Sequence, residues 1–177
     1  MYITTSLMLG AFLATLATAL PQPDATPSGL VILDQFETEF GTATWYGDAS
    51  PEKRDLATEH EAGAQLDKRC GTNQVACGSD HRAPVSLCND LINTIRARGS
   101  DFIPASPRSF CLSSGGTCCV SWANVATGAV WSTLINGANK LVSQCNSNGA
   151  VSGLTRDTLV GSTCTTQCLS NRATGCK

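Results

Sequence analysis

All ten cysteines of this chain fall in its C-terminal part, at Cys70, Cys77, Cys88, Cys111, Cys118, Cys119, Cys145, Cys164, Cys168 and Cys176; residues 1–69 have none. Cysteine makes up close to a tenth of the stretch from Cys70 onward, the density of a disulfide scaffold. An even count in an exported chain implies five bridges formed in an oxidising compartment. Ten cysteines permit about a thousand pairings, so no connectivity follows from the count. Cys118 and Cys119 are adjacent, however, and neighbours on a strand point to opposite faces. They are expected to bond to different partners, one on each side of a sheet. Cys164-x3-Cys168 has a spacing that zinc ligands use, but export removes the reducing conditions that keep thiols free. Bridges are therefore expected, with no metal and no cofactor.

The N-terminus carries signs of export and processing. Leu7 to Leu16 is an apolar run, and Ala17-Thr18-Ala19 supplies the small-x-small pattern that signal peptidase accepts, although no positive charge precedes the run. It is shorter than the roughly 20 residues a spanning helix needs, and Pro21 and Pro23 follow it. The expectation is a signal peptide over 1–19, cut after Ala19, with no transmembrane segment and a secreted, extracellular product. Residues 20–69 hold ten acids and four bases, whereas residues 70–177 hold four Asp, no Glu and eight Lys or Arg. This shift reads 20–69 as an acidic, largely disordered pro-segment and 70–177 as the mature disulfide-rich domain. Lys68-Arg69 stands at that boundary, directly before Cys70, and resembles the paired bases cut late in secretion; Lys53-Arg54 is a second such pair.

Hydrophobic spacing places elements along the mature region. Cys88, Leu91, Ile92 and Ile95 recur on one face of a helix over Pro84 to Arg98, with Gly99 as its stop. Ser109 to Leu112 and Thr117 to Trp122 read as two strands joined by a Ser-Ser-Gly-Gly turn. A second helix is expected over Ala129 to Cys145, weakened by Gly137 and ended by Asn148-Gly149. Val151 to Val160 reads as a hairpin or edge pair, and the segment from Cys164 to Cys176 as a short, stapled polar tail. The fold class expected is α+β: a small disulfide-rich sandwich of two helices packed on an antiparallel sheet.

Catalytic chemistry has few candidates. The mature region contains one histidine, His81, and the four aspartates Asp80, Asp90, Asp101 and Asp157. No G-x-S-x-G, H-E-x-x-H or P-loop pattern occurs. His81 reads as a surface-loop or cap residue; a ribonuclease-like site would have to join an Asp–His pair to Arg82 or Arg108. A glycosidase would need two facing carboxylates. No catalytic residue is assigned. The bases Arg82, Arg96, Arg98, Arg108, Lys140, Arg156, Arg172 and Lys177 are dispersed, which reads as a solvated surface and does not indicate nucleic acid. Trp122 and Trp131 lie in apolar segments and read as core.

Three stretches carry a resemblance: Ser106-Pro107-Arg108-Ser109-Phe110-Cys111, Thr117-Cys118-Cys119-Val120-Ser121-Trp122, and Cys164-x3-Cys168-Leu169-Ser170-Asn171-Arg172. In them the mature region resembles secreted fungal cysteine-rich proteins grouped under a WD-like domain name. The repeated blades of a propeller are missing, and the resemblance brings no catalytic residue. More loosely, the order of elements is similar to killer-toxin-like and necrosis-inducing secreted fungal effectors. The function expected is a non-catalytic, effector-like or killer-toxin-like interaction module that meets a host or competitor cell-surface target. The alternatives are a small secreted ribonuclease-like hydrolase using His81, or a cell-wall or surface constituent.

Overall fold

The computed structural model describes residues 29–48, 70–103, 107–124, 126 and 128–175. Among the described residues, ten strands and two helices follow one another: β1 Leu30–Thr38, β2 Gly41–Asp48, β3 Gln74–Cys77, β4 Ala83–Pro84, α1 Val85–Arg98, β5 Pro107–Ser113, β6 Thr117–Trp122, α2 Ile135–Cys145, β7 Asn146–Ser147, β8 Ala150–Val151, β9 Gly153–Val160 and β10 Thr163–Ser170. One 3-10 turn, Trp131–Leu134, leads into α2. Seven strands form one antiparallel sheet in the order β1-β2-β5-β6-β10-β9-β3, and a second sheet has the order β4-β8-β7.

The molecule is thus mostly β, which corrects the expected α+β sandwich. The helices are short, 14 residues in α1 and 11 in α2, and the sheet is wider than the sequence pattern implied. Two segments account for the difference. Residues 30–48, within the stretch 20–69 read as an acidic, largely disordered pro-segment, form the β1–β2 hairpin and pair with β5 from Thr42↔Ser113 to Gly47↔Pro107. The segment read as a polar tail supplies β10, which lies in the middle of the sheet between β6 and β9. Its sequence hides this, because the side chains that β10 buries include Thr165, Gln167 and Ser170.

Register sorts the side chains into two faces. Trp45 stands opposite Phe110, Phe110 opposite Val120, Val120 opposite Leu169, and Leu169 opposite Gly153. Directly opposed residues share a face, so this row defines the side on which the core is built. α1 turns Leu87, Cys88, Leu91, Ile92 and Ile95 inward, at the spacing expected from the sequence. α2 adds Ala138 and Leu141, and Trp131 and Leu134 of the 3-10 turn close the layer. Trp45 and Phe110 each pack edge to face on Trp131, 4.7 Å away between ring centroids, an arrangement favoured by the ring quadrupoles.

Two local features differ from the expected helix boundaries. Asn148-Gly149 does not merely stop a helix: it is the two-residue turn between β7 and β8, with φ of 52° and 74°. Positive φ at both positions matches the right-handed twist of a tight hairpin. Gly137, expected to weaken α2, permits a close approach instead. A Cβ there would stand 2.5 Å from Gln167 Oε1. Gln167 is fully buried, and its Nε2 donates to Leu134 O at 2.7 Å. Gly137→Ala is expected to destabilise by about 1–3 kcal/mol through overpacking, although alanine is the better helix former by about 1 kcal/mol. A denaturant midpoint at or above that of the parent chain would overturn this account.

Candidate binding groove

The bridges are placed by the same register. Cys118 faces the helices and bonds to Cys88 of α1 with an S–S distance of 2.06 Å; Cys119 faces the other way and bonds to Cys111 directly across the β5–β6 pair. The adjacent cysteines serve the two sides of the sheet, as strand geometry requires. Cys77–Cys145 ties β3 to the end of α2, and Cys70–Cys164 ties the segment before β3 to the start of β10. Cys168 is also disulfide-bonded, and no described cysteine is free. Cys176, Ala19, Lys68 and Arg69 lie outside the described residues.

The face away from the helices carries a groove. There Ser121 of β6 stands opposite Cys168 of β10, and Cys168 opposite Leu154 of β9. The chain after β10 turns back over this face, so that a Cβ on Gly175 would lie 3.1 Å from Ser121 Oγ. The cavity so bounded measures about 780 Å3, and its lining includes Asp48, Arg108, Ser121, Arg156, Arg172 and Thr174. Three guanidinium groups and one carboxylate give its lining a positive balance. Arg108, Arg156 and Arg172, which look dispersed along the chain, are brought together because β9 and β10 pair beside β6.

Two of these arginines are held in place. Arg108 donates through Nε to Trp122 O at 3.1 Å, through Nη1 to Asp48 Oδ2 at 3.2 Å, and through Nη2 to Ala123 O. Arg172 donates through Nε to Gly175 O at 2.9 Å, and its Nη1 lies 2.8 Å from His81 Nε2. A guanidinium can only donate, so this His81 nitrogen accepts and the ring proton sits on Nδ1. Ser121 is buried, and its Oγ has no hydrogen-bond partner among the described residues. A buried hydroxyl without a partner is costly, and a group entering the groove can supply one.

A smaller cavity of about 360 Å3 adjoins the first, sharing Leu154, Arg172 and Gly175, and is also lined by Asp80 and His81. Neither of the arginines weighed for a ribonuclease-like site lines it. Arg82 reaches the backbone of the second sheet, donating to Ser147 O and to Ala150 O at 2.7 Å, and Arg108 serves the larger groove. Trp122 and Trp131 are both buried. The sequence reading missed Arg172 as the partner of His81, because a sequence separation of 91 leaves no local signal.

No described helix is long and apolar enough to cross a membrane. No curated protein and no solved structure matches the chain significantly. The family model described as fungal WD-like matches residues 48–176. That span takes in every strand after β2, both helices, the bridges and nearly all of the groove lining. The chain is a small cysteine-rich member of the fungal WD-like family.

Proposed function

We propose that this chain is a secreted, non-catalytic interaction module of effector or killer-toxin type, cut after Lys68-Arg69, whose groove takes an anionic group of a cell-surface partner. The observation that carries the reading is the groove itself: on one face of a bridged sheet, Arg108, Arg156 and Arg172 line it together with Ser121, whose hydroxyl has no partner among the described residues. Ionised acceptors make the stronger hydrogen bonds with guanidinium groups, so a carboxylate, sulfate or phosphate fits this lining better than a neutral sugar. The bridges support work outside the cell, where they limit the opening that proteases exploit.

Binding of the oxidised chain to an acidic polysaccharide such as polygalacturonate, with a neutral glucan alongside, tests the groove. Retention of the acidic polymer only, falling as salt rises, is expected. Arg156→Ala changes an exposed side chain of the lining; it is expected to weaken retention about three- to tenfold at low salt. Equal binding of both polymers would overturn the anionic reading. A cell challenge tests the effector or toxin role: dye leakage or death in fungal or plant cells is expected from the processed protein.

A hydrolase remains the second reading because Asp80, His81 and Arg172 line one cavity. It requires RNA cleavage that His81→Ala removes; undiminished cleavage by that variant would exclude His81 as the base.

A further inference from the structure

The β1–β2 hairpin lies upstream of the dibasic pair, yet it completes the core of the region downstream. Trp45 is 1% exposed. Its indole lies 4.5 Å from the Phe110 ring, 4.7 Å from Trp131 and 6.3 Å from Trp122, measured between centroids. On its other edge β5 pairs with β6, so without the hairpin β5 would become a sheet edge beside an empty slot the size of an indole. Open edges of this kind recruit another strand.

No cysteine occurs in residues 1–69, so no disulfide can tie the hairpin to the region that follows. Residues 49–69 are the only covalent link, and they contain both dibasic pairs. The contacts that hold the hairpin are complementary in charge as well as shape. Residues 29–48 hold four acids and no base, against the formal +4 of residues 70–177. Asp48 meets Arg108 at 3.2 Å, and the Arg98 guanidinium lies 5.1 Å over the Phe36 ring, within the range of a cation–π contact.

We infer that the β5 edge and the slot walled by Phe110, Trp122 and Trp131 form a strand-docking site, and that its resident ligand is this chain's own hairpin. After the cut assigned under the proposed function, on which this inference rests, residues 30–48 stay in place as a second, non-covalently held chain. The mature protein is then a two-chain molecule, not residues 70–177 alone. The ligand class is an extended peptide with a large aromatic residue at the Trp45 register position and an acid where Asp48 meets Arg108. Main-chain pairing gives such a site its affinity, and side-chain slots give its specificity. An isolated hairpin is marginal in water, so the docked state is what orders it. Because Asp48 also lines the arginine groove, the retained hairpin closes one end of it.

The test uses the full chain with its bridges oxidised, cut in vitro by a dibasic-specific protease and followed by native mass spectrometry. The two pieces are expected to travel together in native buffer and to separate in guanidinium. An excess of labelled peptide 29–48 should then exchange into the cut protein, and the same peptide carrying Trp45→Ala should exchange in roughly a hundredfold less effectively. Separation in native buffer, whether the cysteine-rich piece stays folded or precipitates, would overturn the inference. Equal exchange of the two peptides would overturn the aromatic slot. Since the cut is made in vitro, a secreted protein left intact at Arg69 would sink the processing reading and leave this result standing.

Discussion

Trp45→Ala in the uncut chain is expected to cost about 3–5 kcal/mol, the range for truncating a fully buried large aromatic. The indole sits between Phe110 of β5 and Trp131 of the 3-10 turn, and its hole cannot close easily. Phe110 is fixed by pairing on both sides of β5, and Trp131 N donates to Asp101 O at 3.1 Å. The lost contacts include edge-to-face contacts with Trp131 and Trp122, each worth about 0.5–1.5 kcal/mol beyond the area buried. Tyr46 is the control, since its side chain points to the other face and is half-buried; Tyr46→Ala should cost well under half as much. Urea unfolding checks the pair, with the midpoint falling sharply for Trp45→Ala and the slope unchanged. A loss below about 1 kcal/mol would mean that the hairpin is an appendage and not part of the core.

The second large effect concerns the bridges, which should differ in worth by the length of chain each one closes. Removing Cys77–Cys145, with a sequence separation of 68, is expected to cost about 4 kcal/mol by the chain-entropy relation. Removing Cys111–Cys119, with a separation of 8, should cost only about 2.5 kcal/mol. Geometry strengthens the ranking. Cys111 and Cys119 join two strands already paired by the ladder and a three-residue turn, whereas Cys77–Cys145 anchors the edge strand β3 to the end of α2. Paired Cys→Ala substitutions, compared by denaturant midpoint, decide the order. The reverse order would show that local strain or residual unfolded structure outweighs loop closure.

Part of this architecture is legible in the residues. α1 appears because Cys88, Leu91, Ile92 and Ile95 recur on one face with a glycine stop, and its observed start at Val85 lies one residue from the expected one. β5 and β6 are legible from β-branched and aromatic residues around a Gly-Gly turn. The opposite directions of Cys118 and Cys119 follow from strand alternation alone. β10 was not legible, because polar side chains such as Gln167 read as exposed until a partner is known; here Leu134 O accepts its amide. The β1–β2 hairpin was hidden by an acidic surround. Charge suggested a solvated segment, yet four of its residues, Ala43, Thr44, Trp45 and Gly47, are buried.

The groove shows the same division. Each arginine of its lining is plain in the sequence as a base, but nothing local says that Arg108, Arg156 and Arg172 share one surface. Covalent and local physics set the oxidising chemistry, the helix α1, the central β5–β6 pair and the family to which the chain belongs. Tertiary structure alone decided the wide sheet, the burial of Trp45, the pairing of His81 with Arg172 and the groove itself. The physical reason is that these features depend on strand order and long-range register, and register becomes defined only when the folded sheet brings distant segments side by side.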